Sequence, residues 1–289
     1  MNQILSFMTL LMVSFTAVAD YCAESKVIEH KLEPGDLAEL QMRALAGSLE
    51  IAASEHDRIH LRGKACTSQP EYLAQMDINV GREDDNLVLG TVIPYHQDSF
   101  DPAYASIDIE LQVPNNLPLR VQDSSGDMWI EDVRVLSVDD SSGDIRLINT
   151  TADITIRDSS GDVSIREHAG NLRIYDSSGA IDIREVQGDI TIPGDSSGDI
   201  EIEDVQGLVT VESDSSGDIE IEHVSGDVLV GRDGSGGIEI GNINGRVEIM
   251  SDGSGSIDVT EIAGNFSVMN KGSGEIRHRG VQGEVNLPR

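Results

Sequence analysis

Alternating apolar and polar residues run through the last two-thirds of the chain. Apolar residues follow a recurring glycine at offsets of two and four, as do Ile200 and Ile202 after Gly198. A second apolar pair follows at offsets of eleven and thirteen, as do Val209 and Val211. Charged and hydroxyl side chains fill the positions between them. A period of two is typical of a strand with one buried face. Each repeat therefore predicts two short strands.

The recurring glycine belongs to an Asp-Ser-Ser-Gly-like motif that occurs nine times. Successive motif glycines are 17 residues apart, then 18 twice, then 19 five times. A second glycine column lies between the two strands of the later repeats. Glycine at both corners favours tight turns, because it reaches backbone angles that strain other residues. The motif glycines are Gly126, Gly143, Gly161, Gly179, Gly198, Gly217, Gly236, Gly255 and Gly274.

A repeat of two short strands cannot bury its own apolar face, so successive repeats must stack. The prediction is an all-β fold: a single-stranded parallel β-helix, or solenoid, with rungs of about 19 residues, right-handed by analogy. A sandwich of hairpins is the alternative, but it does not explain why the same residue types recur at each position. We assign residues 105–289 to regular rungs and 20–104 to a strand-rich N-terminal cap or irregular early rungs, since Gly47–Ile51 resembles the later motif.

The first 19 residues predict a signal peptide. An apolar run from Ile4 to Val18 ends in Ala17-Val18-Ala19, which fits a signal peptidase site, although no Lys or Arg precedes the run. The run is short for a membrane span, and no later segment is apolar enough to be one. We expect an exported protein in the periplasm, on the cell surface or secreted.

The two cysteines, Cys22 and Cys66, both lie near the N-terminus. In an oxidising compartment they are expected to form a disulfide. A metal pair is the alternative, but no Cys-x-x-Cys spacing supports it. The prediction is one disulfide within the N-terminal segment.

Net charge restricts the partners. At −32 the chain lacks the basic face that nucleic acid or an anionic membrane would require. Cations and basic surfaces are the electrostatically favoured partners. We expect an unknown protein or glycan at the cell envelope, and no prediction is made of oligomeric state.

The segment Val113-Pro114, then Leu117-Pro118-Leu119, followed by Ser-Ser-Gly-Asp-Ile/Val units, resembles the bacterial "putative adhesin" family of β-helical domains. The resemblance covers roughly residues 40–289. It implies an extracytoplasmic β-helix of unknown function and supplies no catalytic residues, because a fold does not fix a function.

Aspartates form the most prominent chemical pattern. They recur three residues before and one residue after the motif glycine, and stacking would place each column's carboxylates about 4.8 Å apart. One interpretation is local Asx-type turn chemistry; the other is a ladder for cations such as Ca²⁺. The candidate residues are Asp123, Asp127, Asp140, Asp144, Asp158, Asp162, Asp176, Asp195, Asp199, Asp214, Asp218, Asp233 and Asp252.

A basic and aromatic group interrupts the acidic pattern within two adjacent repeats. It is a candidate interaction patch for an anionic glycan or an acidic loop, and chance variation with charge relief is the alternative. His168 replaces the valine of later repeats, and we expect it at a partly exposed corner. The patch consists of Arg157, Arg166, His168, Arg173, Tyr175 and Arg184.

No residue pattern indicates a catalytic centre or a cofactor. Paired carboxylates act in glycosidases when their environments differ, whereas here nearly the same pair recurs in each repeat, and the seven histidines show no metal or triad spacing. The favoured function is a non-enzymatic, exported, rigid interaction or adhesion module. The alternatives are a Ca²⁺-binding structural surface protein and, less favoured, a β-helical polysaccharide lyase or hydrolase.

Overall fold

The computed structural model describes residues 22–94 and 104–289, so the predicted signal peptide lies outside the described residues. Their only helix, α1 (Pro70–Leu73), has four residues, and no described helix could cross a membrane. The strands are β1 (Glu24–Leu32), β2 (Glu39–Arg43), β3 (Leu49–Ala53), β4 (Ile59–Thr67), β5 (Asp77–Glu83), β6 (Asn86–Val92), β7 (Ala105–Val113), β8 (Leu119–Gln122), β9 (Met128–Glu131), β10 (Val135–Asp139), β11 (Ile145–Ile148), β12 (Ile154–Arg157), β13 (Val163–His168), β14 (Leu172–Tyr175), β15 (Ile181–Val186), β16 (Ile190–Gly194), β17 (Ile200–Val205), β18 (Val209–Ser213), β19 (Ile219–Val224), β20 (Val228–Ser235), β21 (Ile238–Ile243), β22 (Val247–Ser254), β23 (Ile257–Ile262), β24 (Phe266–Ser273), β25 (Ile276–Arg279) and β26 (Val285–Asn286).

The strands form two sheets of 13 strands each. From β8 onward they alternate between the sheets, and each pairs in parallel with the strand one rung further along the chain. The register matches the repeat: Ile200 lies beside Ile219, and Ile202 beside Ile221. The structure thus confirms the predicted all-β parallel solenoid with turns of about 19 residues; its handedness stays a prediction.

The core consists of stacked aliphatic columns. Each strand from β8 to β24 contributes two inward residues that are buried, such as Ile181 and Ile183 of β15. Most rungs add a third buried residue before the second corner, such as Val186 or Val205. Strand residues between these columns face outward, as the alternation predicted.

Close contact with the preceding rung requires glycine at the motif position. Gly198 has φ of +136°, and a Cβ atom there would lie 1.7 Å from the backbone oxygen of Gly179. Its N–H donates to the carbonyl of Ser216 at 3.1 Å. Each corner therefore sits directly on the preceding one, which only glycine permits.

The N-terminal segment contributes one full rung and a cap. Strands β2 and β3 form a rung against β8 and β9, with Gly47 in the glycine column. Beyond this rung, β6 and β7 still pair in parallel with β2 and β3. The pairing then becomes antiparallel, between β1, β4 and β7 in one sheet and between β5 and β6 in the other. The predicted disulfide joins Cys22 to Cys66 of β4, with Cα atoms 5.4 Å apart. It fastens the start of β1 to the cap.

Candidate functional site

The two predicted aspartate columns lie in different environments. The interior column consists of the residues three before the motif glycine, which are 2–6% exposed. Most of their Oδ1 atoms accept backbone N–H groups from the following serines, for example Ser177 N–H to Asp176 at 2.6 Å and Ser159 N–H to Asp158 at 2.7 Å. This is the Asx-type turn expected from the motif. The interior column is Asp123, Asp140, Asp158, Asp176, Asp195, Asp214, Asp233 and Asp252.

Burial perturbs the interior column. Desolvation, followed by smaller effects that include neighbouring aspartates, raises the pKa of Asp176 and Asp214 to about 6 and that of Asp233 to about 7. The pKa values of Asp140 and Asp195 are also raised, mainly by burial. The Oδ2 atoms of the column are buried and, except in Asp252, which Lys271 contacts, have no polar partner. The bare carboxylates are therefore incompletely compensated.

The exterior column follows the motif glycine and has another role. Each carboxylate accepts the backbone N–H of the same position in the next rung, as from Asp162 to Asp144 at 3.0 Å and from Asp218 to Asp199 at 2.9 Å. These residues are exposed, so the two predicted aspartate columns differ in their environment. The exterior column is Asp127, Asp144, Asp162, Asp199 and Asp218.

A similar column at the opposite corner was missed in the sequence. At this corner an Asp or Asn side chain accepts the backbone N–H of the equivalent residue in the next rung. Asn171 N–H donates to Asp153, and Asp189 N–H donates to Asn171, both at 2.9 Å. The signal was present as the recurring Gly-Asn or Gly-Asp pairs, for example Gly188-Asp189. Both corners therefore use carboxylate or amide acceptors to join rungs.

Lys271 ends the interior column. It occupies the aspartate position of the last motif, and its ammonium lies 2.8 Å from an Asp252 carboxylate oxygen, with side chains 6% and 0% exposed. It also donates to the carbonyl oxygens of Gly255, at 2.8 Å, and of Ser273. The column thus contains one cation provided by the chain itself.

The predicted basic patch does not form one surface. Arg166 and Arg184 lie on β13 and β15 of one sheet, whereas Arg157, Arg173 and Tyr175 lie on β12 and β14 of the other. The motif between them turns the chain from one sheet to the other. Residues close in sequence therefore end on opposite faces.

Each half of the former patch is paired internally. Arg184 contacts Asp182 at 2.8 Å and Glu203 at 3.4 Å, and Arg166 contacts Asp182 at 3.4 Å. On the other sheet, the Arg173 guanidinium donates to the Tyr175 hydroxyl at 2.7 Å. Arg157 of the same sheet contacts Asp139 at 3.2 Å. The predicted patch residues therefore lie on two sheets, and Arg157, Arg166 and Arg184 are already paired with carboxylates.

His168 is buried in the core, contrary to the expected exposed corner. It is 0% exposed, and its Nδ1 lies 3.0 Å from the hydroxyl of Thr150, which occupies the same column one rung earlier. Burial lowers the pKa of His168 to about 4, so the ring is neutral at pH 7. It is a core residue and not part of an interaction surface.

Stacking brings together one histidine group that sequence spacing did not reveal. His223 Nδ1 lies 3.7 Å from Glu203 and 4.0 Å from Asp204, residues 20 and 19 positions earlier. In the part of the chain that the structure describes, these three side chains place one possible ligand atom each within 4.8 Å of the others. Exposed acidic groups of this kind are common without an ion, and we assign none here.

Trp129 is an outward-facing aromatic residue that sequence reasoning did not single out. It lies on β9 between buried Met128 and Ile130 and is 41% exposed. The Arg146 guanidinium lies 4.7 Å from the ring centroid, and the indole N–H donates to Glu131 at 3.1 Å. The ring is therefore held in a fixed orientation on a rigid sheet. A lone Trp at a polar position of the alternation was the available signal.

Two shallow depressions border Trp129 on the sheet surface. One is lined by Glu50, Ala52, Glu110 and Glu131, where the small side chain of Ala52 leaves space beside the ring. The other extends past Arg146 toward Asp144 and Ser164. Carboxylates and a guanidinium thus surround an exposed aromatic ring.

Several solved structures are similar to this chain. A "putative cell adhesion protein" from Clostridium sporogenes is 14% identical, with 91% of this chain and 99% of that chain covered and a TM-score of 0.29. A "putative adhesin" from Bacteroides fragilis is 15% identical over 91% and 97%, with a TM-score of 0.26. A "putative lipid binding protein" from Parabacteroides distasonis is 16% identical over 92% and 98%, with a TM-score of 0.34.

A search of curated proteins gave no match. The Toastrack DUF4097 family model matches residues 38–233, from the first rung through most of the regular rungs. This match confirms the resemblance drawn from the Ser-Ser-Gly-Asp repeats. The chain belongs to the Toastrack DUF4097 family.

Proposed function

We propose that this protein is a non-enzymatic binding module that works outside the cytoplasm, as a rigid adhesion or interaction element of the cell envelope. Export is supported by the apolar N-terminal run and by the Cys22–Cys66 disulfide, since disulfides persist in oxidising compartments. The stacked rungs hold every outward side chain in a fixed array. Such an array suits recognition of an extended partner.

The observation that carries the proposal is the fixed, exposed ring of Trp129. An aromatic ring with one polar end supplies contact area at little entropic cost. Arg146 and Glu131 already hold the ring, so binding would not have to order it. Preorganisation of this kind raises affinity.

The partner that fits this surface is a polysaccharide. The apolar face of a sugar ring can lie against the indole, while its hydroxyls reach Glu50, Glu131 and Arg146 around it. A flat sheet face accommodates an extended glycan without a deep pocket. Nucleic acid is disfavoured by the net charge of −32.

The test is titration of the purified chain with soluble envelope polysaccharides, followed by intrinsic fluorescence. Because the sequence contains one tryptophan, a fluorescence change on binding reports Trp129 directly. Because Trp129→Ala removes this reporter, the affinities of wild type and variants are compared by isothermal titration calorimetry. Trp129→Ala should weaken binding at least about tenfold, a loss of about 1.4 kcal/mol. Met250→Ala is the control, because Met250 is similarly exposed at 39% but lies on the other sheet. Unchanged affinity in Trp129→Ala would refute the assigned surface.

A further inference from the structure

The interior aspartate column has buried oxygen atoms that no protein group satisfies. In seven aspartates the Oδ2 atom is buried without a hydrogen-bond partner, and in the eighth, Asp252, it faces the Lys271 ammonium. Each residue is at least nine-tenths buried. A buried polar atom without a partner destabilises the folded chain, and more so when it is charged. The seven are Asp123, Asp140, Asp158, Asp176, Asp195, Asp214 and Asp233.

Repulsion along the column adds to this cost. Neighbouring carboxylates one rung apart, about 4.8 Å, repel each other, and burial strengthens this repulsion. Among the described residues, no Lys or Arg is in ionic contact with the seven aspartates that precede Asp252 in the column. A positive ligand is the missing counterpart.

Lys271 shows how a cation is held in this column. Its ammonium contacts one carboxylate oxygen of Asp252 and the backbone oxygens of Gly255 and Ser273. The glycine carbonyls of earlier rungs have the same relation to the next motif glycine: the Gly255 oxygen would lie 1.7 Å from a Cβ atom on Gly274, and the Gly179 oxygen 1.7 Å from one on Gly198. Because the motif repeats, a cation between earlier rungs would have the same types of oxygen ligand that hold the Lys271 ammonium.

The rung spacing selects the ion. A cation midway between oxygens stacked about 4.8 Å apart lies about 2.4 Å from each, within the 2.3–2.6 Å range of Ca²⁺–oxygen bonds. Mg²⁺ requires about 2.0–2.1 Å and a near-ideal octahedron. The interval is thus too long for Mg²⁺ to contact both carboxylates.

We propose that the interior column binds Ca²⁺ between successive rungs, and that Lys271 replaces the ion at the end of the series. Seven uncompensated carboxylates are balanced by three or four divalent ions, so the stoichiometry is three to four Ca²⁺ per chain. The exterior column is excluded, because its carboxylates are exposed to solvent and contain no buried oxygen atom without a partner.

The experiment is equilibrium dialysis of the full chain, stripped with EDTA, against ⁴⁵Ca²⁺ at fixed ionic strength, with Mg²⁺ as competitor. The expected result is saturable binding of three to four ions that equimolar Mg²⁺ does not displace. Asp195→Asn/Asp214→Asn should lose at least one ion, because both carboxylates of one interval become neutral.

Asp199→Asn/Asp218→Asn is the matched control, since it removes two charges from the exterior column in the same rungs and should keep the full stoichiometry. Circular dichroism of both double variants checks that the strands persist. The wild-type measurement needs no variant, and absence of saturable Ca²⁺ binding would overturn the proposal. Equal loss of ions in the two double variants would overturn it as well, because binding would then reflect only surface charge.

Discussion

Gly198→Ala tests whether the glycine column determines the stacking distance. The new methyl group would lie 1.7 Å from the Gly179 carbonyl oxygen, about half of an ordinary contact, in a residue with φ of +136°. A left-handed or extended-positive backbone costs an alanine about 1–3 kcal/mol. Non-bonded atoms normally stay roughly 3.5 Å apart. Relief of the clash therefore requires the two rungs to separate at this corner by more than about 1 Å.

Such a separation breaks the hydrogen bonds that join these rungs on either side of the corner. Gly179 N–H donates to Ser197 at 3.1 Å, and Ile181 N–H donates to Asp199 at 2.9 Å. At about 1 kcal/mol each, their loss brings the expected destabilisation to about 3–5 kcal/mol. This is a large part of the 5–15 kcal/mol that stabilises a typical domain.

The assay is guanidinium unfolding followed by circular dichroism, with Gly194→Ala as the matched control. Gly194 has no atom within 4 Å of its ideal Cβ position and lies only four residues earlier. We expect its variant to be within about 0.5 kcal/mol of wild type. If Gly198→Ala were equally stable, the rungs would not be fixed by glycine contacts, and the reasoning would fail.

Two further predictions concern the core and the cap. His168 has a pKa of about 4 in the folded chain, below the value of about 6.5 in the unfolded chain. As the pH drops from 6.5 to 4, the unfolded chain therefore binds the proton first, and the free energy of unfolding falls by up to about 3 kcal/mol. Thr150→Val/His168→Val should remove that part of the loss in thermal unfolding at pH 7 and 4.5; an identical pH dependence in wild type and variant would contradict it. Cys22→Ser/Cys66→Ser should lower the free energy of unfolding by about 3–4 kcal/mol, because the disulfide closes a loop across 44 positions. Dithiothreitol should lower the stability of wild type by the same amount and leave the variant unchanged.

The solenoid could be predicted because its information is local and repeated. Period-two alternation identifies the strand faces, and constant spacing between motif glycines sets the register, as the pairing of Ile200 with Ile219 confirms. The rung formed by β2 and β3 was visible only as a faint resemblance around Gly47. Its pairing with β8 and β9 joins segments about 80 residues apart, and no repeat encodes it.

The side-chain predictions failed where the corner geometry mattered. Arg157 and Arg166 are nine positions apart, but the Asp-Ser-Ser-Gly turn between them sends them to opposite sheets. A polar residue in an apolar column suggests exposure, yet His168 is buried because Thr150 provides a hydrogen-bond partner one rung away. Contacts between rungs depend on stacking, which residue spacing within one repeat does not show.

The contact of each motif glycine with the one before it also constrains how the length of the molecule can change. Loss or gain of a single residue would shift every later column against its neighbours, whereas loss or gain of a whole rung leaves glycine on glycine and isoleucine on isoleucine. Recombination between repeats can therefore shorten or lengthen the shaft in steps of about 4.8 Å. The antiparallel cap and the Lys271 rung would remain at the two ends, so reach is the property of this protein that evolution can change most easily.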